Sequence, residues 1–330
     1  MPRIPDATLG PASGTIPARV RRGSFSKLVA ALFVLLLVVI LGWLVVLEVR
    51  RGEHLTALEP VPARTTVSVP AFRRVYLIVL ENKNESEVVT SADAPYFDSL
   101  IERFGLATNY QGIAHPSQPN YLVLFSGSTH DVLDDDVHNV MAESLADQLE
   151  AAGKTWRVFA ENYPGEGCFA GASSSDGPDG AGLYVRKHNP AISFSSINGS
   201  ADRCRNIQPL GSFDPAAADF EMIVPNMCHV MHDCPVADGD AWLRAFVPKI
   251  LDSAAWADGG VLFITFDEGS DRSATNRVAT LIAAPDVAAG TTSDTAHSHY
   301  SLLRTIEAGL GVPCLADACA ANTLGEFFTR

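Results

Sequence analysis

Two kinds of apolar pattern alternate along the chain from residue 73 onward. The runs Arg74–Leu80 and Val261–Phe266 are short, rich in β-branched residues and unbroken by polar ones, which is typical of strands buried on both faces. Segments such as Ala94–Gly105 and Ser298–Gly311 instead carry apolar residues at helical spacing, and each ends in glycine. This alternation predicts an α/β fold: a mostly parallel sheet with helices on both faces.

The remaining runs extend the same alternation. We predict strands at Thr155–Ala160, Phe220–Pro225 and Arg277–Pro285, and helices at Ser144–Lys154 and Asp240–Gly260. In sheets of this kind, ligands bind at the carboxyl ends of the strands. Candidate site residues are therefore expected just after the buried strands.

Residues 28–48 form a different pattern, a long apolar run without charge until Glu48 that is long enough to cross a bilayer as a helix. More Lys and Arg residues precede it than follow it, so we expect the N-terminus inside the cell and the later residues outside. The run is long for a signal-peptide core and no small-residue cleavage site follows it directly. We predict an uncleaved signal anchor in the cell membrane, with secretion after cleavage as the alternative.

These patterns divide the chain into four parts. They are a basic cytoplasmic tail (1–27), the transmembrane anchor (28–48), a proline-containing linker (49–72) and one large extracellular domain (73–330).

The charge is distributed unevenly. The 330 residues carry a net charge of −14, yet residues 1–51 alone carry +5, which leaves −19 on the remainder. A body this acidic is not expected to bind nucleic acid or an anionic membrane through its charge. If it acts on phosphate esters, a metal ion or a local cluster of cations must supply the positive field.

All six cysteines follow the apolar run, and an even number in an exported domain indicates disulfides. Six cysteines allow about 15 pairings. Proximity in sequence favours Cys228–Cys234 and Cys314–Cys319, which leaves Cys168–Cys204. A zinc site around Cys228 and Cys234 is the alternative, but their spacing fits no common zinc module.

Polar pairs directly follow two buried strands. Glu81 and Asn82 come after the first strand, and Asp267 and Glu268 come after the strand that begins at Val261. Hard oxygen ligands from two neighbouring strands suit a divalent cation. The alternative is that polar residues simply begin each loop. Two such pairs in one chain favour a metal site of unidentified metal.

Ser117 lies just before the segment NYLVLFSG, which begins at Asn120 and is predicted to be helical. Ser117 is therefore expected near a helix N-terminus. There the free N–H groups and the positive end of the helix dipole stabilise negative charge, so the site suits both a serine alkoxide and a phosphate. An ordinary helix cap is the alternative. A serine nucleophile needs activation, which the predicted metal would provide, and the Asn120 amide is placed to donate to a phosphoryl oxygen.

Histidines near the ends of predicted strands carry the most weight as further site residues. These are His232, which stands beside Asp233, and His299, which opens the last helix. His115 lies two residues before Ser117. The others are less secure candidates: His138, His188, His229 and His297.

Taken in order, these motifs closely resemble the bacterial phosphoesterase family of acid phosphatases and phospholipases C, a branch of the alkaline phosphatase superfamily. The resemblance covers Arg73 to Gly311 and is nearest to secreted acid phosphatases that act on phosphatidylinositol 3-phosphate. It rests on Glu81-Asn82 after a strand, HPSQPNYLVLFSGST from His115, RKHNP from Arg186, VPNMCHVMHDC from Val224, GDAWL from Gly239, DEGS from Asp267 and HSHYSLLRTIE from His297.

The resemblance implies an alkaline phosphatase-like fold, a catalytic domain over residues 73–330 and a serine-nucleophile mechanism. It assigns Ser117 as the nucleophile. It places Glu81 and Asn82 at the first metal-binding strand end, and Asp267 and Glu268 at the second. It places further residues near the phosphate or a second metal: Asn120, His232 and His299, with His115 and His138 less secure.

Two departures from the family pattern change the expectation. The residues ENKNESEVV that begin at Glu81 differ from the usual continuation, so the entrance is expected to be built differently. His229 and Val230 stand where the family commonly has Asn-Asp, so a carboxylate that would help to hold a second metal is missing. We therefore expect one metal site.

The leading hypothesis is a metal-dependent phosphomonoesterase of the acid phosphatase type that works through a phosphoserine. Its substrate is a phosphate ester, with a phospholipid included. One alternative is a phosphodiesterase of the phospholipase C type. The other is an inactive envelope binding domain on the same scaffold, against which the retention of Ser117, Glu81, Asp267 and Glu268 speaks. The sequence predicts neither the oligomeric state nor the substrate.

Overall fold

The two apolar runs that predict buried strands lie side by side at the centre of a sheet. The computed structural model describes residues 68–165, 167–176, 182–270 and 275–328. Within these residues the strands are β1 Arg74–Leu80, β2 Gly105–Ala107, β3 Tyr110–Gln111, β4 Trp156–Ala160, β5 Ile207–Pro209, β6 Phe220–Val224, β7 Gly260–Phe266, β8 Thr280–Ala283, β9 Thr291–Ser293 and β10 His297–Ser298.

The main sheet has eight strands in the order β5-β4-β6-β1-β7-β8-β2-β9, and β3 and β10 pair separately. The five neighbouring strands β5, β4, β6, β1 and β7 run parallel to one another, whereas β8 runs antiparallel to both β7 and β2. The prediction of a mostly parallel sheet is confirmed. The six residues of β1 from Val75 to Leu80 are each at most 1% exposed, as expected for a strand covered on both sides.

The described residues also form ten α-helices. They are α1 Glu85–Val88, α2 Pro95–Arg103, α3 Ser117–Ser126, α4 Leu145–Ala151, α5 Ser195–Asn198, α6 Ala201–Cys204, α7 Val236–Phe246, α8 Pro248–Leu251, α9 Ala254–Ala257 and α10 His299–Leu310. The prediction of one long helix over Asp240–Gly260 is wrong. The segment breaks into α7, α8 and α9, because Pro248 lacks the N–H that would continue α7.

Helices cover both faces of the sheet. Phe125 of α3 packs against Phe220 of β6, with ring centroids 6.4 Å apart. Phe97 of α2 packs against Phe266 of β7 at 6.3 Å. Phe220 is in register with Val261 of β7 through β1, and side chains alternate along a strand, so Phe266 points to the opposite face from Phe220. Helices α2 and α3 therefore lie on different faces.

The cysteines form the three pairs that proximity in sequence favours. Disulfides join Cys168 to Cys204, Cys228 to Cys234 and Cys314 to Cys319, and no cysteine is free. The predicted tail and anchor, and residues 49–67 of the linker, lie outside the described residues. Among the helices that are described, none is both long and apolar enough to cross a membrane.

Candidate active site

The carboxyl ends of the two central strands converge, because β1 and β7 are in register to their last residues. Leu80 pairs with Phe266, and the Asp267 N–H continues the ladder by donating to the Leu80 oxygen at 3.0 Å. Glu81 and Asp267 therefore leave the sheet side by side. Asn82 then turns through a left-handed conformation (φ 49°), and its N–H donates to Asp267 Oδ1 at 3.0 Å.

Ser117 lies within this group of carboxylates. It is the first residue of α3 and only 1% exposed. Its Oγ lies 3.0 Å from Glu81 Oε2, 3.3 Å from Glu268 Oε1 and 3.4 Å from Lys187 Nζ. A hydroxyl has one proton, so Ser117 donates a hydrogen bond to one carboxylate and accepts a hydrogen bond from the Lys187 ammonium. This is the environment of a hydroxyl prepared to lose its proton.

Asn120 shapes the loop that delivers Ser117. Its Oδ1 accepts from the N–H groups of Ile113 (2.8 Å) and Ala114 (3.0 Å). Its Nδ2 donates to the carbonyls of Ala114 (2.9 Å) and Pro116 (3.3 Å). The amide that we predicted to reach a phosphoryl oxygen is thus engaged with main chain in this structure.

Lys187 is a site residue that the sequence reasoning missed, and His188 is a less secure candidate that the structure brings to the site. They lie on a 3₁₀ turn, Arg186–His188, within the RKHNP motif. Lys187 Nζ contacts Asp135 Oδ2 at 2.8 Å as well as Ser117. His188 is fully buried, stacks on the Tyr121 ring at 5.0 Å and places Nε2 2.9 Å from Glu81 Oε1, although its N–H is not aligned for a hydrogen bond. The RKHNP motif itself was the available signal.

The predicted histidines divide between the site and its surroundings. His115 Nδ1 contacts Glu268 Oε2 directly, which places this ring at the site. His232 is exposed, and its Nδ1 lies 2.6 Å from Asp233 Oδ1, so its ring is engaged by a neighbouring surface carboxylate. His138 Nε2 lies 2.5 Å from Asp134 Oδ1, so the structure pairs it with a surface carboxylate that is not one of the site carboxylates.

His299 supports the site from behind. Its Nε2 lies 2.6 Å from the main-chain oxygen of Asp267, and its Nδ1 lies 3.0 Å from the Tyr110 hydroxyl. A carbonyl only accepts, so Nε2 carries the proton and Nδ1 accepts from Tyr110. Burial lowers the pKa of His299 to about 4, which keeps the ring neutral. Both ring nitrogens are thus occupied, and His299 orients the chain at Asp267.

The carboxylates make the site strongly negative. Burial, and then the neighbouring Glu81, raise the pKa of Asp267 well above its usual value and that of Glu268 to about 8. Burial would also raise the pKa of Glu81, but the charges of His188 and Lys187 outweigh it and hold that pKa well below its usual range. Protons on Asp267 and Glu268 therefore offset part of a charge that a cation would neutralise better.

The donor set has the chemistry that a divalent cation binds. Three buried carboxylate oxygens have no aligned hydrogen-bond donor: Glu81 Oε1, Asp267 Oδ2 and Glu268 Oε2. Buried anionic oxygens without donors are costly unless a cation holds them. Their ligand atoms do not all lie within 4.8 Å of one another, as those of one other trio in the described residues do. That trio is Cys228, Cys234 and Asp238, and its two sulfurs are joined in a disulfide, which removes the zinc–thiolate alternative.

This fold, with a buried serine among carboxylates at the ends of parallel strands, defines the class of protein: one with the fold of the alkaline phosphatase superfamily. A superfamily member from Vibrio parahaemolyticus matches with a TM-score of 0.53 at 11% identity, over 77% of this chain and 70% of that one. The lipoteichoic acid synthase from Listeria monocytogenes matches with a TM-score of 0.51 at 11% identity, over 78% of each chain.

The sequence gives the particular family. The model of the Phosphoesterase family matches residues 83–313, and the chain belongs to that family. An acid phosphatase from Aspergillus fumigatus is 29% identical over 81% of this chain and 62% of its own length. A phosphatidylinositol-3-phosphatase from Mycobacterium tuberculosis is 31% identical over 79% of this chain and 84% of its own length. The chain thus spans less than two thirds of the fungal relative.

Proposed function

We propose that this protein hydrolyses phosphate monoesters through a phosphoserine at Ser117. The observation that carries the proposal is the Ser117 hydroxyl, buried at a helix N-terminus between two carboxylates and the Lys187 ammonium. The helix N-terminus and Lys187 favour a phosphoryl group, and the carboxylates favour loss of the serine proton. Family membership supports the reaction class, and the named activities of the fungal and mycobacterial relatives support a monoester substrate.

The residues divide the work as follows. Ser117 Oγ attacks phosphorus in line, and its proton passes to the adjacent ionised carboxylate of Glu81, whose Oε2 lies 3.0 Å away. Lys187 stabilises the charge on the attacking and phosphoryl oxygens. The P–O bond to the alcohol breaks, and we assign the proton for the departing oxygen to His115, which contacts Glu268. Water then attacks phosphorus and gives its proton to His115, the Ser117–phosphorus bond breaks, and the proton held by Glu81 returns to the serine oxygen.

We further propose that Glu81, Asp267 and Glu268 hold one divalent cation, with Asn82 and Ser117 beside it. When bound, the cation supplies Lewis-acid stabilisation of the phosphoryl and serine oxygens. Chelation of the full-length protein should remove both metal and turnover, and the added metal should restore both. A Glu81→Gln variant should retain less metal than the wild type, measured by elemental analysis. Full turnover in a metal-free preparation would contradict this part.

The nucleophile is tested by Ser117→Ala. This variant should lose turnover of a phosphomonoester while keeping its fold and metal content. The matched control is Ser126→Ala, the same substitution in a buried serine on the same helix, whose hydroxyl bonds only the Leu122 and Ser128 carbonyls and His130. Acid quenching with radiolabelled substrate should trap phosphate on wild-type Ser117. Normal activity in Ser117→Ala would overturn the mechanism.

We also propose that the catalytic domain faces the outside of the cell on a single membrane anchor at residues 28–48. The three disulfides support an oxidising compartment. A membrane-impermeant protease applied to intact cells should degrade the domain and release no cytoplasmic marker. Protection of the domain from the protease would contradict the orientation, and recovery of the domain in the medium would indicate cleavage.

A further inference from the structure

A cavity at the carboxyl ends of β4 and β5 plays no part in the proposed chemistry. Its volume is about 390 Å³, within the range of small-molecule pockets. Aromatic and apolar side chains supply most of the wall, with three polar residues among them. The lining residues include Glu161, Asn162, Trp242, Ala245, Phe246 and Lys249.

The cavity opens at the same edge of the sheet as Ser117. Ile78 of β1 and Phe159 of β4 are both in register with Ile223 of β6. Glu81 in the site and Glu161 in the cavity wall therefore leave the sheet at nearly the same level. Two strand spacings separate them, which is about 10 Å. The aromatic wall belongs to α7, whose Asp240 accepts from the N–H groups of Tyr96 and Phe97 on α2, so this wall lies on the face opposite α3. A ligand with its phosphate at Ser117 therefore needs a body longer than about 10 Å to reach the cavity.

One loop, residues 226–234, connects the site to the cavity. On the site side, the Val230 carbonyl accepts from the Glu81 N–H at 2.8 Å. On the cavity side, His229 Nδ1 lies 2.8 Å from Glu161 Oε2, and its ring stacks near Trp242 at 6.2 Å. His229 and Val230 stand where the resembled family commonly has Asn-Asp. In this chain His229 contacts Glu161 and Trp242, which both line the cavity.

The lining indicates the chemistry of the ligand. Trp242 and Phe246 stack at 4.8 Å and form an aromatic wall. Lys249 Nζ lies 5.3 Å above the Phe246 ring, and no salt bridge to Lys249 occurs within the described part of the chain. Glu161 is already held by His229. The cavity therefore offers an apolar surface with one available cation, which suits a flat apolar ring that carries a hydrogen-bond acceptor.

We propose that this cavity binds the leaving-group end of the substrate, namely an apolar ring on a spacer that extends more than about 10 Å from the phosphate. This inference rests on the proposed phosphomonoesterase function. It names a class of substrate: phosphomonoesters of long, ring-bearing alcohols, in preference to short or purely polar ones.

A series of phenylalkyl phosphates of increasing chain length tests the proposal on the full-length protein. The ratio of kcat/KM for a long ester to that for benzyl phosphate should rise about tenfold or more once the chain spans the gap. Ala245→Trp, an exposed residue of the wall, should fill the cavity and abolish this rise. Ala241→Trp is the matched control, an exposed alanine one turn away on α7 and outside the wall, and should retain it.

Binding separates this inference from the proposed function. Calorimetry on Ser117→Ala should show tighter binding of the long ester than of benzyl phosphate, and the double variant with Ala245→Trp should lose that difference. A ratio that is flat in the wild type, or one that rises equally in Ala245→Trp, would overturn the cavity assignment. Failure to turn over any ester, with the binding difference intact, would overturn the function and leave the cavity assignment standing.

Discussion

Lys187 is the cation that the structure places on the Ser117 hydroxyl, so its removal should be costly. At the observed Nζ–Oγ separation of 3.4 Å, the ammonium directly faces the oxygen that becomes negative during attack. Two opposite charges about 4 Å apart attract by about 4 kcal/mol at an effective dielectric of about 20. Asp135, at 2.8 Å from the same nitrogen, already takes part of that field. We therefore assign about 3–4 kcal/mol of transition-state stabilisation to Lys187.

Lys187→Gln keeps a hydrogen-bond donor and most of the side-chain length but removes the charge. A loss of about 3–4 kcal/mol corresponds to a fall in kcat/KM of about 10²–10³-fold. Lys187→Arg should recover part of the activity, because the charge returns in a different shape. Lys154→Gln is the control for removing a positive charge at a distance. Lys154 is half-buried and lies two residues before β4.

The assay is steady-state hydrolysis of a simple phosphomonoester by the full-length variants, with folding checked by circular dichroism. If Lys187→Gln retains activity within about threefold of the wild type, the charge is not used in the transition state. Equal losses in Lys187→Gln and Lys154→Gln would show that only the overall field matters. Either result would refute the role assigned to Lys187.

Three further changes test other parts of the structure. Burial raises the pKa of Glu307 to about 8 from the usual 4.5, so the folded state keeps a proton that the unfolded chain releases. Stability should therefore fall as pH rises from about 4.5 to 8, and Glu307→Gln should exceed the wild type in unfolding free energy by a few kcal/mol at about pH 8 but not at about pH 4. Asn120→Ala removes four contacts to the Ser117 loop, so it should lower the unfolding free energy by about 2–4 kcal/mol and also lower kcat. A raised KM with unchanged stability would instead indicate direct phosphate binding. Replacing Cys168 and Cys204 by alanine opens a loop of sequence separation 36 and should cost about 3–4 kcal/mol in denaturant unfolding.

The buried strands were predictable because burial on both faces leaves an unbroken apolar run. The run Arg74–Leu80 matches β1 residue for residue, and Val261–Phe266 misses only the first residue of β7. The short edge strands were not predictable. β9 spans Thr291–Ser293, which are half-buried or exposed, so packing against neighbours and not an apolar pattern makes this segment a strand.

The candidate site was predictable where adjacent strand ends supply it. Glu81 and Asp267 follow parallel neighbours, so register alone brings them together. Lys187 and Asp135 were missed because neither follows a predicted strand. Their contact joins two loops 52 residues apart, and no local periodicity encodes it.

Sequence spacing identifies which residues surround a site, but it does not decide which atoms face the substrate. Asn120 lies one turn after Ser117 and His299 begins α10, so both positions are consistent with a direct role. In the folded chain, however, each is fully buried with its polar atoms engaged by loop main chain or by Tyr110. An unpaired buried polar group is costly, so such a residue is retained only where partners exist on every side. Their partners are the chain at Ala114 and Asp267, which makes both residues supports that fix the positions of Ser117 and the carboxylates. A His299→Gln variant should therefore lose kcat more than it changes KM, because it alters the position of Asp267 and leaves substrate contacts in place.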